Sequence, residues 1–307
     1  MFHYRVSGLT VASELALPGL ITSGASDQAP DIHIRRGAVP EALDGVTHSG
    51  PSWQLAGNRF LLRIPDVLRM LLIDGREILF EPDSGAAEGD GAIFLSGSGI
   101  GILMQQRGRV VLHASAVKVN DCAVLFCGPS GAGKSTLAVA LGKLGYPSVA
   151  DDFCCLTMDG AVPWLEPDGR QHKLWGQAID ALEVADRKRD PIRSSLQKYF
   201  VTALDAVEAP MPVGMIYELH AATPAQPSGI QRPRSIDGAH LVLRNAYRRA
   251  LIHHFGQRQL YFDTAATLMA SGRIQKFTRA MNFGDVPASL SALETHWRAN
   301  GLLVGAA

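Results

Sequence analysis

"FCGPSGAGKSTLAVALGKLGYPSVADDFCCL", residues 126–156, decides how this chain is read. Within it, Gly128-Pro-Ser-Gly-Ala-Gly133-Lys134-Ser135 fits the spacing G-x4-G-K-[ST]. Glycines at these positions let the backbone curl until successive N–H groups point at phosphate oxygens. A helix starting near Lys134 aims the positive end of its dipole at the same point. Lys134 then reaches the β- and γ-phosphates of a nucleoside triphosphate, and the Ser135 hydroxyl is placed to ligate Mg²⁺. The apolar strand "CAVLFC" before the loop and the helix "KSTLAVALGKLG" after it supply the context the motif needs. Gly128, Ser130, Gly131, Ala132, Gly133, Lys134, Ser135 and Thr136 are therefore the expected nucleotide-binding residues. No NKxD-type guanine signature occurs, so ATP is the default nucleotide.

Two aspartates follow. Asp151 and Asp152 end the apolar strand "PSVA". Consecutive strand residues face opposite sides, so only one carboxylate enters a shared site unless the strand bends there. A carboxylate at the end of a strand beside a phosphate loop orients Mg²⁺ or takes a proton from an attacking hydroxyl. The bland alternative is an Asp that caps a turn. His113, in "VLHASAV", lies on the strand before the loop strand; read alone, a histidine among apolar residues belongs to a core more often than to a site.

Outward from this stretch, the first ninety residues read as short strands in "FHYRVSGLTV", "DIHIRRG", "SWQLAGNRFLLRIP" and "REILFEP". Two segments rich in Gly and small polar residues, "TSGASDQAPD" and "EPDSGAAEGDGA", read as loops. "IGILMQQRG" reads as a short helix stopped by Gly108, and a domain boundary is placed near residue 107. Beyond it, "RVVLHASAVKVN" and "DCAVLFCG" read as two strands, and "YPSVADDFCCLTM" as a third interrupted by the aspartates. "AHLVLRNAYRRALIHHF" reads as one helix, with Leu243, Tyr247, Ala250/Leu251 and His254 on one face. "LWGQAIDALEVA" and "TAATLMASG" read as helices, "PVGMIYELH" and "QKFTRAMNF" as strands. The last helix starts near Pro287 and turns Leu290, Leu293 and Trp297 inward.

The 307 residues carry 29 basic and 29 acidic side chains, a net charge of zero, which argues against bulk attraction to nucleic acid or an anionic membrane. The apolar fraction of 47% is that of a globular protein. The N-terminus lacks a basic n-region, no run is long and apolar enough to span a bilayer, and a cytoplasmic location is expected. Cys122, Cys127, Cys154 and Cys155 form no CxxC pair and read as core residues. A phosphoryl-transfer site wants a further cation, and the candidates are Arg187, Lys188, Arg189, Arg193, Lys198, Arg244, Arg248 and Arg249. "ADRKRD", around residue 187, reads as an exposed loop able to close as a lid. His253-His254 lacks the spacing of a metal site.

The combination of "LHASAV", "GPSGAGKST" and "VADDF" resembles the HPr kinase/phosphorylase family, whose core has a His-(Gly/Ala) strand, a GxSGxGKS loop and a downstream Asp-Asp. The resemblance is specific over residues 110–156 and looser over 157–300. It implies an α/β fold: a P-loop kinase core of the HPr kinase/phosphoenolpyruvate carboxykinase type at 108–307, preceded by a β-rich domain at 1–107. It also implies phosphorylation of a serine hydroxyl, with Asp151 as the base and His113 as its electrostatic partner. Lys134 and Ser135 would hold triphosphate and Mg²⁺, and Asp152 would help to order the metal.

Thr136 stands where that family carries Glu, the family's downstream substrate segment is absent, and the first hundred residues differ from its N-terminal domain. The chain is more similar to the shorter HPr-kinase-like proteins associated with ribosomally made peptide natural products (RiPPs), including lasso peptides. This narrower likeness rests on the N-terminal β region, "LHASAV", "RNAYRR", "FTRAMNF" and the Trp-bearing last helix. The expectation is an ATP- and Mg²⁺-dependent serine kinase acting on a peptide or small protein, with no nucleic-acid or membrane partner and with homo-oligomerisation left open. The alternatives are an HPr kinase/phosphorylase proper, a small-molecule kinase, and a regulatory nucleotide-binding protein with slow hydrolysis. The N-terminal region is the expected place for peptide recognition.

Overall fold

Ser7 and Gly8 both adopt positive φ, which suits a two-residue turn that matches the twist of its strands. This hairpin, β1 (Phe2–Val6) and β2 (Leu9–Ser13), opens an eight-stranded sheet. The other strands are β3 (Ile32–Arg36), β4 (His48–Gly50), β5 (Trp53–Ala56), β6 (Arg59–Ile64), β7 (Leu68–Ile73) and β8 (Glu77–Pro82), in the order β1-β2-β3-β8-β7-β6-β5-β4. The computed structural model describes residues 1–24, 28–86, 89–168, 170–192 and 196–303. Parts of both glycine-rich loops expected from the sequence lie outside the described residues.

One face of the sheet carries Ile32, Ile34, Phe60, Met70 and Ile78, all essentially inaccessible to water. Against it packs a helical segment that runs from α1 (Ala92–Phe94) through a π-turn at Leu95–Gly99 into α2 (Ile100–Gln106). Residues 96–101 are thus the middle of a helix, and Gly108, at φ +72, follows its end. Val111, Phe153, Cys155 and Leu251, from the rest of the chain, complete this core.

The second sheet has nine strands: β9 (Val110–Leu112), β10 (Ala114–Val119), β11 (Cys122–Cys127), β12 (Ser148–Ala150), β13 (Cys154–Asp159), β14 (Val162–Glu166), β18 (Met211–Ala221), β19 (Gly229–Gln231) and β20 (Ile274–Arg279). Its central strand, β18, runs parallel to both β11 and β20. Strands β15 (His172–Trp175), β16 (Lys188–Pro191) and β17 (Lys198–Val201) form a small third sheet.

Helices cover both faces of the second sheet, as parallel strands buried on two sides require. On one face, Leu125 and Ile216 meet Leu241, Tyr261 and Leu268 of α5 (Ser235–Arg244) and α7 (Arg258–Ala270). On the other, Phe126 and Tyr217 meet Leu137 and Leu141 of α3 (Lys134–Lys143), with Leu293 and Trp297 of α8 (Val286–Ala299). The short helices α4 (Gly176–Ala181) and α6 (Ala250–His254) complete the set. The architecture is mixed α/β. No helix among the described residues is long and apolar enough to cross a membrane.

Three segments break where the sequence reads as continuous. "RVVLHASAVKVN" splits at His113: β9 pairs with β13, whereas β10 pairs with β11 and β12. "YPSVADDFCCLTM" splits between Ala150 and Cys154, with Asp152 at φ +75. The long helix over "AHLVLRNAYRRALIHHF" also breaks. Asn245 O accepts from His113 N at 2.8 Å, Tyr247 N donates to Val111 O at 2.8 Å, and Arg248 takes φ +47. Residues 245–249 therefore run along β9, and Leu243, Tyr247 and Leu251 do not share one helix face. "ADRKRD" forms a 3₁₀ turn and the exposed edge strand β16 instead of an open loop. Cys127, Cys154 and Cys155 are buried, Cys122 is half-buried, and all four are free thiols.

Candidate phosphoryl-transfer site

β11 delivers the chain into the glycine loop, and α3 takes it away. Gly128 (φ +142), Gly131 (φ +84) and Gly133 (φ +82) adopt conformations that L side chains resist. At Gly128 a Cβ would also come within 3.2 Å of Leu219 O. Gly133 leads into the first turn of α3, so the helix begins at the loop with its N–H groups facing the same cavity as the loop. Lys134 is buried, and its Nζ donates to Gly128 O (2.9 Å) and Pro129 O (3.1 Å). Burial lowers its pKa, and nearby carboxylates only partly oppose that.

A cavity of about 260 Å³ lies over the loop. Ser130, Gly131, Gly133, Lys134, Ser135 and Thr136 line it together with His113, Asp151 and Asp152. Of the other expected residues, Gly128 borders an adjoining groove, and Ala132 is buried with its carbonyl turned to Arg279. The left-handed turn at Asp152 is the bend that brings both aspartates to one cavity.

The two carboxylates have different surroundings. Asp151 is 1% exposed and accepts from Ser115 Oγ (2.5 Å) and from Lys173 N (3.0 Å). His172 Nδ1 stands 3.7 Å away, at ion-pair distance. Burial alone would push the Asp151 pKa up. The neighbouring His172 and hydrogen bonds from the Ser115 and Ser135 hydroxyls outweigh it and hold the group well below the usual carboxylate range. Asp152 is partly open to the cavity and pairs with Lys173 Nζ at 2.6 Å. Its pKa is also lowered: burial raises it, and the Lys173 charge more than offsets that.

His113 sits against Asp152 and not, as the resemblance implies, against Asp151. Its Nδ1 is 2.7 Å from the Asp152 carbonyl and 3.8 Å from the Asp152 carboxylate. The carbonyl can only accept, so Nδ1 carries the hydrogen. Burial first, and then the Lys134 charge, lower the His113 pKa, so the ring is neutral near pH 7.

Behind the pair, Arg170 Nε donates to the buried Asp168 at 2.7 Å while its guanidinium lies over the Phe153 ring at 4.2 Å. Among the described residues, no group of three or more His, Cys, Asp and Glu side chains converges as a metal cage. Mg²⁺ in phosphoryl-transfer sites needs less: one or two carboxylates, a hydroxyl and the substrate's phosphates. Ser135 beside Asp151, with Asp152 on the same cavity, is such a donor set.

Of the candidate cations, Lys198 borders the cavity, beside Trp175. Arg244 is held by Glu218, Arg248 by Ser98 and Arg187 by Asp186. Lys188 lies over the Tyr199 ring at 3.6 Å, and Arg189 donates to backbone carbonyls next to it. Arg249 is exposed and lies away from the loop, and Arg193 is outside the described residues. The sequence reading missed Ser115, His172, Lys173 and Arg279. Ser115 had a signal, since the sequence reads it on one strand with His113 at a two-residue offset. Arg279 lies in "FTRAMNF", a stretch quoted above without a role for this side chain, and His172 and Lys173 sit in no motif.

No protein-family model matches this chain, and no curated protein matches it. Among solved structures it is similar to the Hpr(Ser) kinase/phosphatase from Coxiella burnetii, at 14% identity and a TM-score of 0.34, over 62% of this chain and 92% of that one. Likeness at that level leaves the chemistry of this chain to be argued from its own residues.

Proposed function

We propose that this protein is an ATP- and Mg²⁺-dependent kinase that transfers the γ-phosphoryl group to a serine hydroxyl of a peptide or small protein. The observation that carries this reading is a carboxylate partly open to the phosphate-loop cavity, Asp152, beside a second, buried and ionised one, Asp151, which touches the loop serine. An acceptor of the RiPP-precursor type is favoured over HPr because Thr136 replaces the acid of the HPr kinases.

The loop N–H groups and Lys134 would hold the triphosphate. Mg²⁺, when bound, neutralises phosphate charge, and Ser135 with Asp151 would hold it. The surroundings favour this division over the one the resemblance implies. Asp151 is buried and its oxygens already accept from Ser115 Oγ and Lys173 N, which leaves an incoming hydroxyl little access to it. Asp152 faces the cavity, and His113 and Lys173 fix its position, so it is the better candidate for receiving the serine proton.

The test compares Asp152→Asn with Asp151→Asn, using γ-labelled ATP and serine peptides. Asp152→Asn is expected to bind ATP·Mg²⁺ normally and lose transfer by about a hundredfold or more, since an amide cannot accept the proton. Asp151→Asn is expected to lose the Mg²⁺ dependence of nucleotide binding. Release of free phosphate only, with no peptide labelled, would favour the regulatory reading instead.

A further inference from the structure

His113 lines two spaces. On one side is the phosphate-loop cavity; on the other is a groove of about 590 Å³ that Gly128, Pro129, Arg244 and Arg248 also border. Arg244 in turn lines a larger groove of about 860 Å³ between α5, α6 and α7, together with Arg249, Arg258, His240 and His253. A path therefore leads from the reacting carboxylates past His113 and along a row of arginines.

The charge along this path is one-sided. Among the described residues, no Asp or Glu lines the larger groove. Glu218, the acid of the nearer one, is already taken by Arg244, Asn245 and His220. Asp237 lies near Arg244, and Asp263, the neighbouring acid on α7, accepts from Gln259. The Arg249 and Arg258 side chains are exposed and make neither a hydrogen bond nor an ion pair among the described residues. In a protein of zero net charge, this is a local excess of positive charge, and aromatic surface lies beside it in the half-exposed Phe262.

We propose that this pair of grooves is the acceptor-binding site and that it takes an acidic peptide segment adjoining the target serine. The proposal rests on the kinase reading above. Arginine forks match carboxylates in bidentate geometry, and unpaired arginines in a concave surface have not already spent that capacity on an internal acid. An extended segment is favoured over a small metabolite because the path is long and open. A peptide is favoured over nucleic acid because the rest of the chain adds no net positive charge to hold a phosphate backbone.

The experiment titrates the full chain with two fluorescein-labelled peptides, a serine followed by four glutamates and a serine followed by four lysines. A single-stranded oligonucleotide serves as competitor, and binding of a fluorescent ATP analogue is read in parallel. The acidic peptide should bind, and binding should weaken about tenfold in Arg249→Glu/Arg258→Glu and several-fold in Arg249→Ala/Arg258→Ala. ATP-analogue binding should stay unchanged in both, since neither residue touches the phosphate loop. Equal binding of the lysine peptide, or of the acidic peptide by both double variants, would overturn the proposal. Displacement of the peptide by the oligonucleotide at lower concentration than by unlabelled peptide would also overturn it and assign the groove to nucleic acid. Failure of the ATP analogue to bind the unaltered chain would instead remove the kinase reading, and the peptide titration would still decide the groove.

Discussion

Arg279, at the end of β20, donates from Nη2 to the carbonyl of Ala132 in the phosphate loop, 147 residues earlier, at 2.8 Å. Arg279 is 5% exposed, and no carboxylate pairs with it among the described residues. A Cβ at Gly133 would run into the same Nη2. The last strand of the sheet thus sets the shape of the loop and leaves a positive charge beneath it.

Replacing Arg279 with Ala should therefore weaken ATP binding by about tenfold and leave the fold intact, as calorimetric titration and a melting curve would report. Lys at this position should recover only part of the affinity, because an ammonium cannot reproduce the planar fork. Unchanged affinity in the Ala variant would show that the loop keeps its shape without this contact.

Lys173 offers a test of the base by pH. It lies 2.6 Å from Asp152, whose pKa it lowers against the effect of burial. In Lys173→Met that support is gone, so the Asp152 pKa rises and more alkaline solution is needed to ionise it. The acidic limb of the kcat profile should move to higher pH, and by less if Asp151 is the proton acceptor.

Glu218 is buried and accepts from Arg244, from Asn245 Nδ2 at 2.8 Å and from His220 Nε2 at 2.9 Å. Burial raises its pKa, but these donors overcome that and leave it lowered. Its folded pKa lies below the unfolded value of about 4.3. The stability it contributes is complete above that value and is lost as pH falls through the folded pKa. Glu218→Gln should cost about 1–2 kcal/mol at pH 7 and should flatten the fall in urea midpoint between pH 5 and pH 3.

Trp297 anchors α8 to the sheet. It is fully buried, with Tyr146 edge-on at 5.1 Å between ring centres. Trp297→Ala should cost about 3–5 kcal/mol, read as a lower denaturation midpoint. Because α8 shares its core with Leu137 and Leu141 of α3, nucleotide affinity should fall with it.

The shape of the glycine loop was legible in residues 126–156, because it is a local structure. Its glycines, its lysine and the helix that follows lie within a few residues, and their conformational preferences need no distant partner. The α/β class, which the resemblance implied, stands as a mixed α/β architecture. Three apparent continuities were misleading. His113, Asp151–Phe153 and Asn245–Arg249 sit in runs whose pattern favours one unbroken element, yet His113 and Asn245–Arg249 change direction where remote backbone offers hydrogen bonds, and Asp151–Phe153 where the His113 ring bonds the Asp152 carbonyl. His113 and Asn245 break together because their backbones bond to each other.

The sequence by itself determined a glycine loop that runs into a helix, with two carboxylates after it. Which carboxylate is buried and which faces the cavity was decided by the tertiary structure alone. The left-handed turn at Asp152, the Lys173 pairing from the third sheet and the Ser115 hydroxyl from β10 come from segments up to 36 residues apart. Charge and solvation act through space, so the character of each aspartate depends on neighbours that chain position does not reveal.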